Sequence, residues 1–201
     1  MVLEQFWQLF YSWLYLFYAP FSEPEMLWVI IPIYLGWIIT EIYQEKRDTS
    51  YGNAVSNGVI VFWVGIDWTR TTIRLLKEKA ISVDMLLYAK LFIAFLVFSY
   101  GVLILYLGIK GKKSVRYIAR IREVSYILLV FTPIFYKPEL LTMKAIIGIF
   151  VLFPFFYFLI EFIDWVTPDP KIYEYDKDEQ RKQFYEPIGG EEPKDVFKNI
   201  K

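Results

Sequence analysis

Long apolar runs separated by short charged stretches make up most of this chain of 201 residues. As helices, five of these runs approach or exceed the length needed to cross a hydrocarbon core of ~30 Å. Their predicted bounds are residues 26–43, 54–72, 85–108, 115–136 and 140–166. The pattern predicts an all-α fold, a polytopic integral membrane helix bundle that occupies residues 23–167.

The first 22 residues have a different pattern, in which one polar stripe interrupts an aromatic helix. The stripe consists of residues that recur every three or four positions: Gln5, Gln8, Ser12 and Tyr15. As a helix, residues 3–18 would extend about 24 Å, which is less than the thickness of the core. We therefore expect an interfacial helix rich in Trp and Tyr. If this helix inserted, the bundle would have six spans.

Charge distribution predicts the topology and a separate C-terminal tail. Residues 168–201 are rich in charge and lack a period long enough to form a core, which is typical of an extended tail. One side carries Lys46, Arg47, the six bases of residues 110–122 and the start of the tail, which is more Lys and Arg than the four bases of residues 70–79 with Lys137 and Lys144 on the opposite side. The positive-inside rule then predicts a multi-pass protein of the cell membrane whose C-terminus is cytoplasmic.

Composition restricts the possible chemistry, because the chain contains no cysteine and no histidine. Disulfides, thiolate or imidazole metal sites and Ser-His or Cys-His nucleophiles are therefore excluded. The net charge is zero and no phosphate-binding glycine motif is present, so neither nucleic-acid binding nor a nucleotide cofactor is predicted. We expect a non-enzymatic protein without a metal or cofactor.

Asp67 is the charge that most needs an explanation. It lies about four residues, or ~6 Å, from the midplane of the second predicted span. A bare carboxylate at this depth would cost about 2–3 kcal/mol on insertion scales. Arg70 is three residues away on the same helix, and Lys90 is the only base inside the next span. The sequence predicts an intramembrane ion pair between Asp67 and Lys90, with Arg70 as a second partner. An ion- or proton-linked role is the alternative.

Two further features concern packing and the cytoplasmic rim. Ala54, Gly58, Gly65 and Thr69 share one face of the second span, and such small residues allow close helix approach. We also expect a polar cluster where three spans reach the cytoplasm. Arg116, Arg120 and Glu123 would share one helix face, and Glu161 and Asp164 would share another. The predicted cluster consists of five residues: Glu41, Arg116, Arg120, Glu161 and Asp164.

These features favour a structural or assembly subunit of a larger membrane complex. Its partners would be the lipid bilayer and other membrane subunits, contacted through the Ala54/Gly58/Gly65 seam or the C-terminal tail. The alternative is a small transporter or channel in which Asp67 and Lys90 have an ion- or proton-linked role. Such a protein needs a continuous polar path, whereas most span centres here are aliphatic or aromatic.

Overall fold

The computed structural model describes residues 2–43 and 51–166 of the chain, with the side chains of residues 2, 41–43 and 164 excepted. The predicted loop at residues 44–50 and the tail at residues 168–201 lie outside this description. The described residues are all-helical, without a β-strand. The eight α-helices are α1 (Val2–Tyr18), α2 (Pro24–Tyr43), α3 (Tyr51–Lys77), α4 (Met85–Ile109), α5 (Val115–Ile118), α6 (Ile121–Tyr136), α7 (Met143–Val151) and α8 (Phe153–Val166).

The run predicted as one span over residues 115–136 is not a continuous helix. The chain leaves helical geometry at Ala119 and is extended at Arg120, with φ −66° and ψ 132°, before α6 begins. The buried amide of Asn57 on α3 donates a 2.8 Å hydrogen bond to the Ala119 carbonyl. This tertiary contact satisfies an acceptor at the break, which a hydrophobic pattern does not reveal.

The run over residues 140–166 is likewise divided, into α7 and α8, which are bent by 48°. Pro154 lies in the first turn of α8, where its missing N–H prevents the hydrogen bond that would continue α7. Upstream, α1 and α2 are joined through Ala19–Ser22 and are bent by 111°.

Among the described helices, one is by itself long and apolar enough to cross a membrane. This helix is α4, whose 25 residues extend about 38 Å. The number rises to three if the bent pairs α1–α2 and α7–α8 each count as one span. α6 has only 16 residues, and α3 carries Asp67 and Arg70 in its second half. A membrane-span candidate is therefore present, but the five-span bundle is not confirmed.

α6 forms the centre of the hydrophobic core. One face packs against α2 and α3, where Trp68 and Leu129 are buried together. Another face packs against α1, α7 and α8, where Val130 is buried in one cluster with Trp13 and Phe156. Nearly every side chain from Val124 to Tyr136 is consequently buried.

α3 and α4 form the closest helix pair, and glycines on both helices permit the approach. A Cβ atom on Gly65 would lie 2.5 Å from the Phe98 amide nitrogen. One on Gly101 would lie 2.4 Å from the amide nitrogen of Phe62. A Cβ atom on Gly58 would lie 2.5 Å from the Ile104 side chain, and one on Gly108 would lie 2.7 Å from the Val55 side chain. The small-residue seam predicted on α3 is thus filled by α4 of the same chain.

Candidate functional site

The buried carboxylate of Asp67 is held between α3 and α6. Its Oδ1 accepts a 2.8 Å hydrogen bond from Arg70 Nη2 in an i,i+3 ion pair. Its Oδ2 accepts a 2.8 Å hydrogen bond from the hydroxyl of Tyr136, at the end of α6. The Asp67 side chain is only 4% exposed, whereas that of Arg70 is 66% exposed. Arg70 therefore connects a buried anion to the surface.

Lys90 of α4 is also buried, but its ammonium does not pair with Asp67. It donates a 2.9 Å hydrogen bond to the carbonyl of Phe135 and lies 5.5 Å from the centre of that residue's ring. Phe135 is in the last turn of α6, where carbonyls lack helical partners and the helix dipole favours a cation. Within the described residues, Lys90 has no carboxylate within 4.0 Å. The structure thus joins Asp67 to Arg70 and leaves Lys90 with a different partner.

Aromatic packing between α3 and α6 fixes the position of Asp67 relative to Tyr136. The indole of Trp68 stacks on the Phe135 ring, with centroids 4.1 Å apart and planes inclined by 14°. Its Nε1 donates a 3.1 Å hydrogen bond to the Thr132 hydroxyl. Trp68 follows Asp67 on α3, and Phe135 precedes Tyr136 on α6. This stack therefore positions the donor and the acceptor of the Tyr136–Asp67 bond.

Ion pairs around this cluster connect the ends of three helices. Arg74 pairs with Glu25 of α2 and lies 5.8 Å from the centre of the Tyr136 ring. Lys137, just after α6, pairs with Glu23 at 2.5 Å. The hydrogen bond to Glu23 raises the pKa of the Lys137 ammonium. The start of α2 and the ends of α3 and α6 thus meet at one end of the fold.

At the opposite end, only part of the predicted rim cluster comes together. Glu161 pairs with Arg122, which was not among the predicted residues. Arg120 contacts Glu123 at 3.4 Å and donates a 3.2 Å hydrogen bond to the Tyr157 hydroxyl. The predicted continuous face through Arg116, Arg120 and Glu123 is wrong, because the chain leaves the helix at Ala119.

Three predicted rim residues do not contribute a described contact to this cluster. Arg116 is exposed on the four-residue helix α5. The side chains of Glu41 and Asp164 lie outside the part of the structure that is described.

Two partners of the buried charges were not recognised from the sequence. Tyr136 closes an apolar helix, where a tyrosine is usual at a membrane interface, so its pattern does not distinguish it. The backbone carbonyl of Phe135 leaves no signal in a side-chain pattern. The glycines of α4 could have been found, because Gly101 and Gly108 are seven residues apart, as are Gly58 and Gly65.

The arrangement binds and buries charge but does not provide a nucleophile–base pair or a metal-ligand set. Within residues 2–43 and 51–166, no group of three acidic side chains could hold a metal ion. What the geometry does offer is a set of buried hydrogen bonds that join α3 and α4 to α6. No protein-family model matches the chain, and neither a curated protein nor a solved structure is detectably similar to it.

Proposed function

We propose that this protein is a non-enzymatic structural or assembly subunit of a larger membrane complex. In this proposal the bundle has five spans: α2, α3, α4, the α5–α6 segment and the α7–α8 pair. α1 lies at the interface, and residues 168–201 form a cytoplasmic tail. The protein resides in the cell membrane.

The observation that carries this proposal is the internal pairing of the buried carboxylate. Both oxygens of Asp67 are occupied, one by Arg70 and the other by Tyr136. A carboxylate that binds transported ions must exchange partners, whereas this one is held by two 2.8 Å hydrogen bonds, one from Arg70 within α3 and one from Tyr136 of α6. Its geometry is that of a packing element, which favours a structural role.

In this proposal the tail, and not the glycine seam of α3, contacts the other subunits of the complex. Gly58 and Gly65 pack against α4, so this face of α3 is not available to another subunit. The tail combines charges of both signs with Ile172, Tyr173 and Phe184. Segments of this composition can dock on a partner and order on binding.

The test is purification of the full chain from its native membranes in a mild detergent, followed by identification of co-eluting polypeptides. We expect at least one membrane protein to co-elute in fixed stoichiometry. A variant that ends at residue 167 should insert normally and lose this partner. A monodisperse full-length chain without any partner would contradict the proposal.

One observation favours the second candidate, a small transporter or channel. Lys90 is buried with a single carbonyl acceptor and, within the described residues, without a carboxylate in ion-pair range. A buried ammonium in a membrane span is a common element of ion- or proton-linked transport. The test compares proton and ion flux into proteoliposomes for the wild type and for Lys90→Met. Flux that is lost in the variant while its thermal midpoint is retained would favour transport.

A further inference from the structure

A lateral groove of about 890 Å³ runs between α3 and α4. This volume is within the range of roughly 300–1,000 Å³ that is usual for small-molecule sites. Most of the wall is apolar and is formed by residues of both helices: Ile66 and Ile73 of α3, and Leu91, Phe95 and Phe98 of α4. The groove therefore follows the side of the helix that is itself long and apolar enough to cross a membrane.

Polarity changes along the length of the groove. Ile66 and Phe98 lie toward the middle of the helix pair, and the α3 wall continues for eleven residues, or about 16 Å, to Lys77. Arg70, Arg74 and Lys77 form one edge of this wall at spacings of three or four residues. The groove is thus apolar at the centre of the pair and cationic toward one end.

The cations differ in how much charge they can offer a ligand. Arg74 is engaged by Glu25 and lies 3.9 Å from Glu78, so its charge is largely balanced. Lys77 is exposed at the end of α3 and has no ion pair within the described residues. Its ammonium is available to an anion.

Arg70 is held in place by the buried carboxylate of Asp67. One guanidinium nitrogen binds Asp67 Oδ1 at 2.8 Å, while two-thirds of the side chain stays exposed. Because a guanidinium carries five N–H donors, several remain for a second anion. Asp67 thereby orients Arg70 before a ligand arrives.

We propose that this groove binds one anionic phospholipid, with the phosphate between Arg70 and Lys77 and an acyl chain along the apolar walls. The order of the walls, apolar and then cationic toward the helix end, is the order of an acyl chain and its headgroup in a bilayer. A soluble anion would use the cations but not the phenylalanines. The proposal requires α4 to span the membrane and is independent of whether the protein is a complex subunit.

The test is native mass spectrometry of the full chain in detergent micelles, titrated with dioleoyl phosphatidylglycerol or dioleoyl phosphatidylcholine. We expect one phosphatidylglycerol to bind in preference to phosphatidylcholine. Lys77→Gln should weaken phosphatidylglycerol binding about fivefold, as is typical of one base near an anionic headgroup. Lys112→Gln, the matched control, removes an exposed base outside the groove and should leave binding unchanged.

A second variant tests the apolar wall. Phe95 is 62% exposed, so Phe95→Ala should fold normally and still weaken phosphatidylglycerol binding. Equal binding of the two lipids would overturn the proposal, as would equal effects of the two lysine variants. Displacement of phosphatidylglycerol by millimolar inorganic phosphate would instead identify a site for a free anion. Unchanged binding by Phe95→Ala would exclude the acyl-chain position.

Discussion

The hydroxyl of Tyr136 donates a 2.8 Å hydrogen bond to the buried carboxylate of Asp67 and so joins α6 to α3. Arg70 binds the other oxygen of the same carboxylate. A buried anion is stable only when its acceptor oxygens are matched by donors. This small group of side chains is therefore expected to affect the stability of the whole helix packing.

Removal of the Tyr136 hydroxyl should destabilise the protein. In Tyr136→Phe, Asp67 Oδ2 loses its donor while the ring remains, and the expected cost is about 1–3 kcal/mol. Tyr88→Phe is the control, since Tyr88 is 61% exposed and should stay within roughly 0.5 kcal/mol of the wild type. Thermal unfolding in detergent micelles measures both. Equal midpoints for the two variants would contradict the role given to Tyr136.

Asp67 and Lys90 should be weakly coupled, because each has its own partner. In the direct Asp67–Lys90 ion pair predicted from the sequence, Asp67→Leu would strand Lys90, and adding Lys90→Leu would restore much of the stability. With Lys90 bonded to the Phe135 carbonyl, we now expect the two losses to be nearly additive. A double-mutant cycle measures the coupling, with Asp67→Leu and Tyr136→Phe as the strongly coupled reference pair. Recovery of stability in the Asp67/Lys90 double variant would contradict this expectation and would favour a direct ion pair between the two side chains.

The contact between α3 and α4 should not tolerate a methyl group at Gly65. Its Cβ would meet the Phe98 backbone at 2.5 Å, so the helices would have to separate, at a cost of roughly 1–3 kcal/mol. Gly52→Ala is the matched control on the same helix, because a Cβ there has no atom within 4 Å. Because Gly52 lies in the first turn of α3, that variant should stay within roughly 0.5 kcal/mol of the wild type. Chemical denaturation compares them, and a stabilised Gly65→Ala would contradict the packing.

Asp84 should make the stability of α4 depend on pH. It caps this helix by accepting hydrogen bonds from the Leu87 amide at 3.1 Å and from the Ser82 hydroxyl at 2.9 Å. These bonds lower the pKa of Asp84 below its ordinary value of 3.8. A lowered folded-state pKa means that the carboxylate stabilises the fold above pH 3.8, and that this contribution is lost as the pH falls through the folded-state value.

Asp84→Asn keeps a capping side chain but cannot titrate. Its stability relative to the wild type should therefore improve as the pH is lowered from 7 to 3. Unfolding midpoints of the two proteins across this range provide the measurement. A difference that stays constant with pH would show that the charge of Asp84 has no part in capping.

The absence of natural cysteines permits a direct test of whether α4 crosses the membrane. Val83 and Lys112 are exposed and lie just beyond the two ends of this helix. Single variants Val83→Cys and Lys112→Cys should react with a membrane-impermeant maleimide from opposite sides. Under the positive-inside rule, Lys112→Cys is the one labelled from the cytoplasm. Labelling of both from the same side would exclude α4 as a span.

The sequence by itself determined the helical class, the position of the most apolar helix and the presence of a small-residue face on α3. These features follow from local composition, since helix periodicity and the length of an apolar run are properties of adjacent residues. The position of Asp67 inside an apolar run likewise indicated that its carboxylate needs a partner, and Arg70 could be named because it is one turn away on the same helix.

The tertiary structure alone decided where the long apolar runs break and which groups meet across helices. Asn57 satisfies the carbonyl at the Ala119 break, and Tyr136 reaches Asp67 from 69 residues away. Lys90 finds a backbone carbonyl, an acceptor that every residue carries and that no side-chain pattern marks. Such contacts depend on how helices pack in three dimensions. Packing depends on the shapes of distant side chains, whereas a hydrophobic pattern records only the order of residues along the chain.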